Sequence, residues 1–128
     1  MVFMAYKISV DHKTKLIHYQ HDGVIDKEQI GLAWNDFLQM KEFTEQKYNM
    51  LSDYSGAKFN MSFKDVDLIT NFLYSLKGIL EGKKQALIIL EPRATALSIL
   101  FEGKVNEKIG FIVRIFSNKK DALEWLTE

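Results

Sequence analysis

The chain has 128 residues, 47% of them apolar and 27% charged, with 17 Lys and Arg set against 17 Asp and Glu. That is the make-up of one soluble domain over residues 1–128, large enough to bury roughly two-thirds of its unfolded surface without a disulfide, metal or partner. Cysteine is absent, which excludes thiolate zinc sites, iron–sulfur ligation and cysteine nucleophiles and fits a cytoplasmic location.

The charges balance within each half, eight of each sign in residues 1–64 and nine of each in residues 65–128. No basic footprint for nucleic acid is present; Lys83-Lys84 and Lys119-Lys120 are isolated pairs. The start, Met1 to Val10, lacks the pattern of a secretory leader. The longest aliphatic run, Ala86 to Leu90, is far short of the about 20 apolar residues a membrane span needs.

Tyr6, Ile8 and Val10 alternate with polar residues, as do Ile17 and Tyr19 within Lys15 to His21. The period predicts two strands, joined by the short turn Asp11-His12-Lys13-Thr14 and therefore antiparallel. Asp22-Gly23 reads as a turn. A helix follows from about Asp26, its N-cap, with Ile30, Trp34, Phe37 and Leu38 as the buried stripe. Lys47 to Asp53 reads as a short strand ending in the turn-forming cluster Asp53-Tyr54-Ser55-Gly56.

A second helix starts at Ser62, where Ser62 and Asp65 have capping-box spacing. Its apolar face runs through Val66, Ile69, Leu73, Leu76 and Leu80. Lys83 to Glu91 contains an apolar run without alternation, which suits a central strand covered on both faces. Pro92 opens a third helix, Arg93 to Glu102, expected to end at Gly103. Phe111 to Phe116 is the last strand, and Asn118 caps a final helix carrying Ala122, Leu123, Trp125 and Leu126. The order gives an α/β fold: a five-stranded, mostly parallel mixed sheet with four helices, its first two strands an antiparallel hairpin.

Ligands of open parallel sheets gather beyond the carboxyl ends of the strands. There the segment Asp53 to Ser62, read as the longest strand-to-helix loop, is the first candidate site, with Tyr54, Ser55, Lys58 and Phe59 inside it. Arg93, Leu97 and Phe101 on the third helix face the same rim. The third helix is apolar nearly all round (Ala94, Ala96, Leu97, Ile99, Leu100, Phe101), which predicts a dimer face, a partner groove or the wall of an apolar pocket. Asp22, Asp53 and Glu91 would make an acid–base site only if they converged. His12, His18 and His21 are too scattered for a metal site, and on a strand His18 and His21 point to opposite faces. No cofactor motif is present: there is no P-loop, nucleophile elbow or dinucleotide glycine turn.

The element order, the acidic Asp53, the Ser62 helix start and the ending Phe116-Ser117-Asn118-Lys119-Lys120-Asp121-Ala122-Leu123-Glu124-Trp125-Leu126 resemble the SpoIIAA-like family of the STAS superfamily. The resemblance implies a mixed sheet with helices and a non-enzymatic role in protein–protein interaction. It also implies possible phosphorylation at the serine that opens the second helix, here Ser62, with Asp53 matching the acidic strand end. Where that family's loop reads Asp-Ser-Ser-Gly, this chain has Asn60-Met61-Ser62-Phe63. The related CRAL-TRIO lipid-transfer fold implies an alternative, a carrier of a small apolar ligand or lipid beside the second and third helices. The expectation is thus a STAS-like binding module, homodimeric, using no cofactor and no metal.

Overall fold

Alternating burial sets the first two strands. In a computed structural model that describes residues 6–128, β1 (Tyr6–Asp11) lies antiparallel to β2 (Leu16–Ile25), from Tyr6 opposite His21 to Asp11 opposite Leu16. The Asp11 carboxylate holds the turn by accepting from the amides of Lys13 (2.9 Å) and Thr14 (3.3 Å). The first five positions of the Met1–Val10 segment, read above for a leader pattern, lie outside the described residues.

The remaining elements are α1 (Lys27–Leu38), α2 (Lys41–Thr44), β3 (Asn49–Phe59), α3 (Phe63–Tyr74), α4 (Lys77–Leu80), β4 (Lys84–Ile88), α5 (Pro92–Ile109), β5 (Ile112–Phe116) and α6 (Lys119–Leu126). The sheet order is β1-β2-β3-β4-β5, with β2 through β5 parallel. Each crossover steps in the same direction, so right-handed connections place α1, α3 and α5 on one face. There Ile17, Tyr19, Met50, Leu87 and Val113 meet Trp34, Phe37, Leu73, Val105 and Ile109. The chain then folds back: α6 packs Ala122, Trp125 and Leu126 on Leu16, Leu51, Ala86 and Ile88 of the opposite face. Gln85 to Ile89 are all buried, as expected of a strand covered on both sides.

The expected helix starts are present. Asp26 accepts from the Gln29 amide at 2.9 Å and Gln29 returns a bond to Asp26, a capping box. Ser62 and Asp65 form the second box, Asn118 caps α6, and Pro92 is the first residue of α5.

Several expectations need correction. Among the described residues there are six helical segments rather than four: α2 is a single turn added to a connection, and the second helix of the sequence, read through Leu80, ends at Tyr74 and leaves Lys77–Leu80 as the separate turn α4. The third helix of the sequence, α5, passes through Gly103 and ends only at Gly110, whose φ of 75° is the left-handed cap glycine favours. Burial of Val105 and Ile109 outweighs the ~1 kcal/mol that a helical glycine costs. Asp22-Gly23 is not a turn but part of β2, with Gly23 at φ 86°. Most consequentially, Asp53 to Phe59 is not a loop. It continues β3, Gly56–Phe59 pairing with Asp22–Ile25, and only Asn60 to Ser62 remain as a connection.

Candidate functional site

Beyond Asp53, which still pairs with Ile88, β3 outruns β4 and pairs with β2 alone. A bulge starts there: Gln20 faces Asp53 but Asp22 faces Gly56, so Tyr54 and Ser55 stand against the single residue His21. The Asp53 carboxylate accepts from the Ser55 amide at 2.9 Å and fixes the bulge. A bulge re-aims side chains. Here Tyr54 packs on the helical face, its ring 5.5 Å from Tyr19 and 5.3 Å from Phe59.

Tyr54, Phe59, Leu97 and Phe101 come together as walls of one cavity of about 50 Å³ between the sheet and helices α1, α3 and α5. All four were candidates from the sequence, Tyr54 and Phe59 within a rim segment and Leu97 and Phe101 on an apolar helix face read as a dimer face, partner groove or pocket wall. Trp34, Gln85 and Ser98 are among the other residues that line the cavity and were not site candidates from the sequence. The detectable signal was Gln85, a polar residue at the head of an otherwise aliphatic buried run. Its Nε2 donates to Ser52 Oγ at 2.9 Å, while its Oε1 is buried with no partner among the described residues. Burial pushes the Tyr54 phenol above its ordinary range.

The other candidates lie around this cavity. Arg93 donates from Nη2 to the Met61 carbonyl at 3.1 Å, tying α5 to the β3–α3 connection. Ser62 is exposed, its Oγ accepting from the Asp65 amide at 3.3 Å. Ser55 and Lys58 are exposed on β3. Surplus apolar surface on α5 is smaller than the sequence implied: Ala94 and Leu97 are buried and Leu100 and Phe101 half-buried, leaving Ala96 and Ile99 open.

A second feature lies outside. The faces of α1 and α3 leave a groove with two adjoining hollows that share Gly31 and Phe72. Leu32, Leu68 and Phe72 rim it at 56%, 47% and 41% exposure. Ile30, Trp34 and Ile69 wall both this groove and the interior cavity.

The acidic residues stand apart in their bonding. Asp53 is held by the Ser55 amide, Asp22 lies over Gly56, and Glu91 precedes α5 with Oε2 buried and without a partner among the described residues. His18 faces the α6 side, where burial and Lys119 hold its imidazole below the ordinary range against Asp11. Among the described residues no three His, Asp or Glu side chains are grouped to hold a metal ion, and no helix is long and apolar enough to cross a membrane.

The fold is a SpoIIAA-like α/β fold. Among solved structures the chain is similar to an uncharacterized protein of the DUF3478 family from Shewanella loihica PV-4, described as having a SpoIIAA-like fold. The two share 18% identity over 98% of this chain and 97% of that one, with a TM-score of 0.59. No protein-family model matches the sequence, and no curated protein matches it.

Proposed function

We propose that the chain is a non-enzymatic, STAS-like binding module that docks a second copy of itself through the α1–α3 groove. The observation that carries this reading is the group of exposed apolar side chains, Leu32, Leu68 and Phe72, along an apolar hollow floored by Gly31. Covering each would contribute on the order of 1 kcal/mol. A second copy suits the groove because the chain carries no net charge and so does not repel itself. The same patch then supplies both the protruding Phe72 and the hollow it fills, as a two-fold contact requires. Light scattering over a concentration series tests it: the parent should move toward twice the monomer mass and Phe72→Glu should stay monomeric. A parent that is monomeric throughout removes the reading.

Within this proposal Ser62 acts as a helix cap. A phosphoryl group there would meet the free amides of α3 but also displace the Asp65 carboxylate that now accepts from the Ser62 amide at 3.0 Å. The rival reading as an enzyme using Asp22, Asp53 and Glu91 draws no support from their separate bonding. A second reading, carriage of a small ligand, is favoured by the interior cavity. Its size speaks for a molecule of a few heavy atoms and against a lipid chain.

A further inference from the structure

Beneath α5 the apolar layer of the sheet is interrupted by a polar pair. Gln85 and Ser52 stand on the adjacent central strands β4 and β3, 4% and 0% exposed, joined by the 2.9 Å bond from Gln85 Nε2 to Ser52 Oγ. That bond uses one end of the amide. The other end, Oε1, is buried without a partner among the described residues, and Gln85 lines the cavity of about 50 Å³. Ser98, 4% exposed, lines it from α5. A buried polar atom left unpaired has lost its bonds to water without replacement, and protein interiors normally satisfy such atoms.

We propose that this cavity binds a small neutral molecule joining a hydroxyl to an apolar body. The hydroxyl donates to Gln85 Oε1, and the body lies against Trp34, Leu97 and Phe101. A hydroxyl is the group that fits, because it both donates and accepts and so satisfies the amide in either orientation. Ions do not fit: no charged side chain among the described residues lines the cavity, and an unpaired charge there would be stripped of water without compensation. The volume corresponds to a few water molecules at about 10–15 Å³ each, which limits the ligand to a few heavy atoms. This inference deepens the small-ligand reading and does not depend on the docking groove.

The experiment titrates 1-butanol into the isotope-labelled full chain, with butyrate as its charged counterpart. Amide chemical shifts are followed by NMR, and Trp34 fluorescence in a Trp125→Phe background. Saturable changes confined to the cavity walls are expected with butanol and none with butyrate. Gln85→Leu should weaken butanol binding roughly fivefold, the equivalent of one hydrogen bond. Ser98→Leu, which fills the space, should abolish it, and a cooperative melt of each variant shows that both remain folded. Changes with butanol that do not saturate, equal binding by Gln85→Leu, or equal binding of butyrate would overturn the proposal. A chain that binds butanol yet stays monomeric in light scattering sinks only the docking reading.

Discussion

The hydroxyl of Tyr19 and Nδ1 of His21 meet at 2.8 Å on one face of β2, with both side chains almost completely buried. The Tyr6 ring stacks on His21 from β1 at 6.3 Å, and the Nε2 of His21 has no hydrogen-bond partner among the described residues. Burial holds the imidazole below its ordinary value of 6.5; the Val24 backbone, Asp22 and Asp26 oppose this only in part. The unfolded chain therefore binds a proton that the folded one resists as pH falls below 6.5. Stability is complete above that value and is lost as pH drops from it toward the depressed folded value. Urea unfolding between pH 8 and 5 should show a falling midpoint. His21→Asn, which keeps a polar partner for Tyr19 without titrating there, should reduce the slope, while His18 retains a share of it. An identical slope in the variant would refute the assignment.

Phe72 and Phe101 carry opposite consequences despite their similar spacing on apolar helix faces. Phe72 is 41% exposed on α3, so Phe72→Glu should change unfolding stability by less than about 0.5 kcal/mol. Phe101 is half-buried against Met61, Val66 and Leu97. Phe101→Glu would place a carboxylate in that apolar wall and should cost about 2–4 kcal/mol. Equal losses in chemical denaturation would contradict this arrangement.

Gly56 lies where a Cβ would overlap the Asp22 carboxylate across the β2–β3 pair. Gly56→Ala must turn Asp22 aside, whereas in an Asp22→Ala background the same change should be stabilising by about 0.5–1 kcal/mol, since glycine is a poor strand residue. The double-mutant cycle should give a coupling of about 0.5–1.5 kcal/mol. Strict additivity would mean that the two residues do not touch.

Trp125 fastens α6 to the sheet. Lys84 Nζ lies 5.1 Å and the Arg114 guanidinium 5.6 Å from its ring centroid, and Phe116 packs beside it at 5.6 Å. Trp125→Ala should cost about 3–5 kcal/mol, and Trp125→Phe far less because the ring face persists. Thermal and urea unfolding measure both, and a loss below about 1 kcal/mol for the alanine variant would show that α6 contributes little.

Much of the architecture was readable residue by residue. Asp26, Ser62 and Asn118 mark helix starts because a cap needs only one short side chain and an amide three positions on. The alternation around Tyr6 to Val10, and the unbroken Ala86 to Leu90, disclose an outer and a central strand for equally local reasons. Tyr54, Phe59, Leu97 and Phe101 were also found, the first two in a rim segment and the last two on an apolar helix face, whereas Trp34 was read only as core and Gln85 and Ser98 were not singled out.

The failures share one cause. Ser55-Gly56 reads as a turn on propensity, yet it is strand because Asp22 to Ile25 lie alongside to accept its backbone bonds. Gly103 reads as a helix end, yet α5 continues because Val105 and Ile109 have a sheet to bury against. Caps and periodicities act within a few residues, so the order and direction of the elements can be inferred from the chain. The cavity, the bulge and the unpaired Gln85 oxygen depend on segments more than thirty positions apart. Their geometry is set by packing and strand pairing, which no local pattern encodes.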